Sequence, residues 1–180
     1  MSAAAAGLSS TVPVIETDRL ILRGHRVDDY AECLAIWSDP EVTRYIGGRP
    51  STAEEVWGRM LRYAGLWQLL GYGYWAVEVK DSGRYIGDIG YADFRRDVEP
   101  RLHGMLEFGW ILAPHAHGNG YASEAVAAAS AWAKAHIVTS REVCMIAPEN
   151  TASIRVAEKA GFRLWQETIY HDSPTIVFSR

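Results

Sequence analysis

The chain has 180 residues, a length that suits one compact domain. Its 48% hydrophobic and 22% charged residues are ordinary for a globular protein, and a formal net charge of −4 supplies no basic excess for nucleic-acid binding by counterion release. Cys33 and Cys144 form no CxxC pair, so no zinc or redox motif is visible, and buried thiols in a reducing, cytoplasmic compartment are expected.

Residues 1–12 are rich in Ala and Ser but lack the basic and apolar regions of a signal peptide, so they read as a disordered leader to a domain over 13–180. No run approaches the roughly 18 apolar residues of a membrane helix, so no membrane association is expected. Arg19 to Arg23 reads as a strand. Behind Asp28 a helical pattern runs from Tyr30 to Trp37 and is stopped by Asp39-Pro40. Ser51-Thr52-Ala53-Glu54-Glu55 has the form of a capped helix start, and Gly71-Tyr72-Gly73 ends that helix. Residues 74–79 and 85–94 read as a hairpin about Asp81-Ser82-Gly83, with Gly87 and Gly90 marking bulges or close backbone approach. A strand over 105–112 follows a polar loop. Residues 121–137 form the clearest helix, with Ala122, Ala125, Val126, Ala129, Trp132 and Ala133 on one face. A strand over 142–147, a helix from Asn150 to Gly161, and strands over 163–170 and 175–179 joined by His171-Asp172-Ser173-Pro174 complete the chain. The order predicts a mixed α/β fold. Its sheet is mostly antiparallel, with one strand–helix–strand crossover.

The chemistry is concentrated between Glu107 and Glu124. A buried strand runs into a turn holding Gly118 and Gly120 and then into a long helix. The unpaired amides and the helix dipole there make an anion site suited to phosphate or pyrophosphate. Gly118-Asn119-Gly120-Tyr121-Ala122-Ser123 is neither a P-loop nor a full dinucleotide fingerprint. On the residues alone, an ordinary glycine turn remains equally open. His115-x-His117 has no further ligand cluster and is not expected to hold a metal.

His115-Ala116-His117-Gly118-Asn119-Gly120-Tyr121-Ala122 resembles the acetyl-CoA signature of the GNAT N-acetyltransferases, usually Gln/Arg-x-x-Gly-x-Gly/Ala. Glu107-Phe108-Gly109-Trp110-Ile111, the opening Glu16 to Arg23 and the segment Asn150 to Phe162 are similar to the RimJ/RimL-like branch, in the same order and spacing. The resemblance implies a GNAT fold whose mostly antiparallel sheet is splayed in the middle, with acetyl-CoA as co-substrate in the gap. It implies direct transfer of acetyl, in a ternary complex, to the primary amine of a small molecule or protein N-terminus. It further implies that backbone groups of Ile111 and Leu112 orient pantetheine, that the amides of His117, Gly118, Asn119, Gly120, Tyr121 and Ala122 hold the pyrophosphate, and that Asn150 binds the pantetheine arm. Asn150 also reads as a plain N-cap. Where many members carry a thiolate-protonating Tyr, this chain has Ala157. Ser153 takes the position at which the branch places a Ser near the thiolate, as cofactor contact and catalytic donor. Glu107 is the first candidate for general base, with a structural tie to an Arg as the other reading. Asp88 and Tyr91 are further candidates for the acceptor cleft. His115, in the usual Gln/Arg position, implies a weaker or pH-dependent cradle.

Two other functions stay open on the sequence. A non-catalytic acyl-CoA-binding module fits the missing Tyr, and a nucleotide-binding protein fits the glycine turn. The identity of the acceptor and the oligomeric state, a homodimer among the options, are not written in the residues.

Overall fold

A computed structural model describes residues 12–138 and 141–180. The expected leader lies outside the described residues except for Val12. That residue packs on the main core, and Pro13 accepts a hydrogen bond from Trp75 Nε1 at 2.8 Å, so the fold has already begun there.

The elements are β1 (Ile15–Glu16), β2 (Leu20–Arg23), α1 (Tyr30–Trp37), α2 (Pro40–Thr43), α3 (Ala53–Leu70), β3 (Tyr74–Val79), β4 (Arg84–Ala92), β5 (Leu106–Leu112), α4 (Tyr121–His136), β6 (Glu142–Ile146), α5 (Thr151–Lys159), β7 (Arg163–Tyr170) and β8 (Ser173–Ser179). Local chemistry explains most boundaries. Thr52 and Glu55 close a reciprocal capping box on α3, and Gly71 ends it in the left-handed region at φ 73°. Asp39-Pro40 stops α1 as expected, yet Pro40 then opens the short α2. Proline suits a first helical position because the missing N–H would be unpaired there anyway, and the Asp39 side chain accepts the amide of Glu41. The last connection is tighter than expected. His171 and Asp172, at φ 49° and 59°, make a two-residue turn, so β8 starts at Ser173.

The eight strands form one sheet in the order β1-β2-β3-β4-β5-β6-β8-β7. Every neighbouring pair is antiparallel except β5 and β6, which are joined through α4. One face packs on α4 and α5: Ala125, Val126, Ala129 and Ala133 of α4 and Ala157 of α5 meet Phe108, Leu112, Tyr91 and Phe162 in the main core. The small residues let α4 lie close to the strands. The other face meets α1 and α3, where Cys33, Ile36, Trp37, Val56 and Met60 pack against Ala76, Tyr85 and Ile111. The cysteines are free and buried, and burial pushes the Cys33 thiol up to about 12.

Gly87 and Gly90 behave as their places in β4 imply. The register between β3 and β4 shifts beside Gly87, whose φ is 150° and whose missing Cβ would strike the carbonyl of Ile111. At Gly90 a Cβ would meet the backbone of Gly73 and Tyr74. Gly90→Ala therefore forces two strands apart, and the expected loss is about 1–3 kcal/mol, read as a lower midpoint of denaturant unfolding.

Candidate functional site

The site begins where β5 and β6 part. Their parallel ladder holds two register pairs, Leu106 with Glu142 and Glu107 with Val143, and then stops. Beyond it β5 stays paired with β4 through Leu112, and β6 stays paired with β8 through Ile146. Alternation along a strand decides which groups face the gap. The amide of Ala113 donates to Ile86 on the β4 side, and the amide of Leu106 donates to Arg141 on the β6 side. The even-numbered residues Trp110 and Leu112 therefore turn their backbone groups into the gap, while those of Ile111 face β4. Ile111 and Leu112 both lie beyond the end of the ladder, but the Ile111 carbonyl points at Gly87, so the backbone turned to the gap is that of Trp110 and Leu112.

Parallel strands end at the same edge of a sheet. The N-termini of α4 and α5 therefore both lie at the open end of the gap, with their unpaired amides and positive dipole ends. Before α4, Gly118 and Gly120 sit at φ 77° and 78°, a conformation that disfavours any side chain. A Cβ at Gly118 would meet nothing within 4 Å, so space for a ligand remains above the turn. Among the described residues no backbone carbonyl takes up the amides of Gly118, Asn119 or Gly120. The amide of His117 is different: it donates to Pro114 at 3.1 Å and is not available to an anion. The ring of His117 instead donates from Nε2 to the Leu112 carbonyl at 2.9 Å, tying the turn to the end of β5. Asn119 braces the same turn, with Nδ2 donating to the carbonyls of Ala116 and His117. His115 is held below the ordinary histidine value, first by desolvation and then by Arg84 and His117, so it is neutral at pH 7 and adds no charge.

The charge at the cradle comes from a residue that the sequence reading passed over. Arg19 reaches in from the turn before β2. It donates from Nη1 to the carbonyl of Asn119 at 2.8 Å, pairs with Glu124 at 2.6 Å and lies over the Tyr121 ring at 4.7 Å. Glu124 also accepts from the Thr17 hydroxyl and the Arg19 amide. Burial raises the Glu124 carboxyl, but the hydrogen bonds from Thr17 and Arg19 outweigh it and hold the group below its ordinary value. Only a separation of about 100 positions hid this contact; nothing local signals it.

On α5, Asn150 is an N-cap. Its Oδ1 accepts the amide of Ser153 at 3.1 Å. The cap uses the oxygen, and Nδ2 keeps its donors. Ser153 sits in the first turn of α5, partly buried, at the same edge. Ala157 points into the core with no exposure, so no acid can act from that position. Burial raises the Cys144 thiol strongly, and a thiol that stays protonated is a poor acyl carrier.

The opposite face of β5 carries Glu107, Gly109 and Ile111 toward α1 and α3. Glu107 is held by Arg96 through both oxygens, with contacts of 2.7, 2.8 and 3.0 Å. The single Nε–H spans both oxygens and Nη2 adds a second donor, so part of the carboxylate's accepting capacity is taken. The structural tie weighed for Glu107 is therefore present in the fold. The Tyr74 hydroxyl abuts Gly109, leaving no room for a side chain there. Asp88 is fully buried and accepts from Tyr85 Oη at 2.5 Å, His25 at 2.7 Å and Trp37 Nε1 at 3.1 Å. Tyr91 turns the other way, stacks on Phe108 at 4.2 Å and bonds Glu142, so it does not reach the acceptor face.

The family model described as "Acetyltransferase (GNAT) domain" matches residues 19–163. The uncharacterized N-acetyltransferase YoaA of Bacillus subtilis (strain 168) is 31% identical over 152 residues, 84% of this chain and 83% of that protein. The crystal structure of an acetyltransferase from Agrobacterium tumefaciens str. C58 superposes with a TM-score of 0.81 at 26% identity, covering 98% of this chain and 99% of the other. RimL, a ribosomal L7/L12 α-N-protein acetyltransferase solved with coenzyme A, shares the fold at a TM-score of 0.75 and 16% identity, over 93% and 97% of the two chains. The chain belongs to the GNAT acetyltransferase family and is an N-acetyltransferase, an enzyme class that passes an acyl group to an amine. Among the described residues no group of three or more His, Cys, Asp or Glu is placed to hold a metal, and no helix is long and apolar enough to cross a membrane.

Arg19→Gln leaves the Glu124 charge uncompensated beside an anion cradle. Calorimetric titration should show coenzyme A binding weakened by about 2- to 10-fold, with the far-UV spectrum unchanged. The depressed Glu124 group contributes stability above its unfolded value of 4.5 and loses it as pH falls through the folded value. Its loss on acidification should be smaller in the Arg19→Gln variant.

Proposed function

We propose that this enzyme binds acetyl-CoA in the β5–β6 gap and transfers the acetyl group to a primary amine by direct attack in a ternary complex, as in the RimJ/RimL-like branch. One observation carries the reading: the ladder between β5 and β6 stops after two pairs, leaving the backbone of Trp110 and Leu112 without a strand at the edge where α4 and α5 begin. The Leu112 carbonyl already accepts from the His117 ring; the other backbone groups turned to the gap require partners, and the amide-bearing pantetheine arm offers them. The amides from Gly118 to Ala122 receive the pyrophosphate, Asn150 offers Nδ2 to the arm, and the thioester comes to rest beside Trp110 and Gly109.

The amine approaches from the α1–α3 face, beside the Tyr74 hydroxyl that covers Gly109. Its nitrogen lone pair forms the new bond to the carbonyl carbon. The carbon–sulfur bond breaks, and coenzyme A leaves as thiolate. The Ser153 hydroxyl donates to the sulfur as negative charge develops there. The ammonium proton passes to water held at a lone-pair position of Glu107 that Arg96 leaves open, and the Arg96 contacts fix the carboxylate that orients that water. The free, buried thiols fit the expected cytoplasmic setting.

Calorimetric titration with acetyl-CoA, beside ADP, tests the reading. Acetyl-CoA binding far tighter than ADP is expected; no binding by the folded protein would sink it. Gly120→Val, at φ 78°, places a branched side chain in the cradle and should abolish coenzyme A binding. Ser153→Ala should lower kcat by about 10- to 1,000-fold, the range for loss of one transition-state donor; an unchanged rate removes Ser153 from the mechanism.

A further inference from the structure

Two arginines of α3, Arg59 and Arg62, stand on the acceptor face outside the ion pairs of the described residues. Arg59 of α3 lies over the Trp37 ring at 3.5 Å, and its Nε is buried without a hydrogen-bond partner. Burial pushes the phenol of Tyr63, one turn along α3, upward, and the Arg59 charge acts against that rise. Tyr63 stacks on Tyr74 at 4.4 Å and 8°, and the Tyr74 hydroxyl abuts Gly109. Arg59 therefore stands two stacked rings from the strand that would present the thioester, and its charge is felt at the Tyr74 phenol. One turn further along α3, Arg62 is exposed and lies over Phe94 at 5.4 Å. Neither guanidinium has an ion-pair partner among the described residues.

The carboxylates of Asp88 in β4, Glu107 in β5 and Asp93 in the loop between them are occupied. Asp88 is held by His25, Tyr85 and Trp37; Glu107 by Arg96; Asp93 by His103 and by the amides of Arg95 and Gly104. A polycationic acceptor would find the carboxylates nearest Gly109 already paired and would meet two cations outside any ion pair. A carboxylate would find a planar guanidinium whose buried nitrogen lacks a partner, with a second charge beside it. Arginine presents paired N–H donors in the geometry that a carboxylate accepts.

We infer that the acceptor is a primary amine bearing a carboxylate, which Arg59 binds with Arg62 at the mouth, so that the amine is directed toward Gly109. The inference rests on the acetyltransferase reading above. It is tested on the full chain by thiol release at saturating acetyl-CoA. The acceptors are L-amino acids of differing side chain, each beside its carboxamide, together with spermine, and rates are expressed per unprotonated amine. The expected result is at least one acid with kcat/KM about 10- to 100-fold above its amide, the factor supplied by a hydrogen bond to a charged group. Arg59→Met should erase that preference through KM, Arg59→Lys should restore part of it, and Arg62→Gln should reduce it. Coenzyme A binding should be unchanged in all three. Arg62 is exposed, so its variant keeps the test decisive if Arg59→Met fails to fold. Equal or faster turnover of amides or spermine, equal losses on both members of each pair, or no acid accepted by a protein that binds coenzyme A overturns the inference. Failure of the wild-type protein to bind coenzyme A would instead strike the acetyltransferase reading itself.

Discussion

The parting of β5 from β6 is the constraint on which the rest of the molecule depends. Each strand has a full antiparallel partner on its outer side, β4 for one and β8 for the other, and each follows that partner. The two are pinned only at their base. There Glu142 and Arg180 exchange backbone hydrogen bonds at 3.0 and 3.2 Å and pair through their side chains at 2.5 Å, while the Tyr91 hydroxyl reaches the same carboxylate. A buried carboxylate is tolerated when such partners surround it. With the base fixed and the outer ladders continuous, the twist of the sheet opens the inner edges. Main-chain groups are then turned to a gap rather than to a neighbour.

The two faces of β5 divide the work. The α4–α5 face is built of small and apolar side chains, which bring the helix N-termini close to the strand ends. The α1–α3 face is built of aromatic rings around polar groups. Asp88 organises it, because one carboxylate accepts donors from the segment after β2, from α1 and from β4. Removing any of these donors would leave charge buried without a partner, so the three elements are held in a single arrangement. A second buried pair, Arg23 with Asp29 at 2.7 Å, fixes the start of α1, and Glu78 of β3 accepts from the same guanidinium at 2.6 Å. The wall over Gly109 is thus set by ion pairs and rings rather than by aliphatic packing.

Arg19 shows how charge at the cradle is assigned. Its guanidinium balances Glu124 in the first turn of α4, where a bare carboxylate would compete with a phosphate for the helix N-terminus. The neutral His115 and the His117 ring bonded to Leu112 then serve geometry rather than charge.

Much of this protein was legible in the sequence because the signals were local. The capping box at Thr52 and Glu55, the glycines at 71 and 161, the 3.6-residue face of α4 and the turn at Gly118 and Gly120 each depend on a few neighbouring residues, and hydrogen bonds within the segment decide them. The family pattern from Glu107 to Ala122 and from Asn150 to Phe162 is likewise contiguous. Tertiary structure alone decided which backbone groups face the gap, since that follows from the register with β4, which turns Trp110 rather than Ile111 toward it. It also decided that His117 spends its amide on Pro114, that Glu107 is locked by Arg96 and that Arg59 is left without a carboxylate. The physical reason is common to these cases. Each depends on a charge or a hydrogen-bonding group brought from a distant part of the chain, and linear spacing does not encode such a meeting until the sheet has formed.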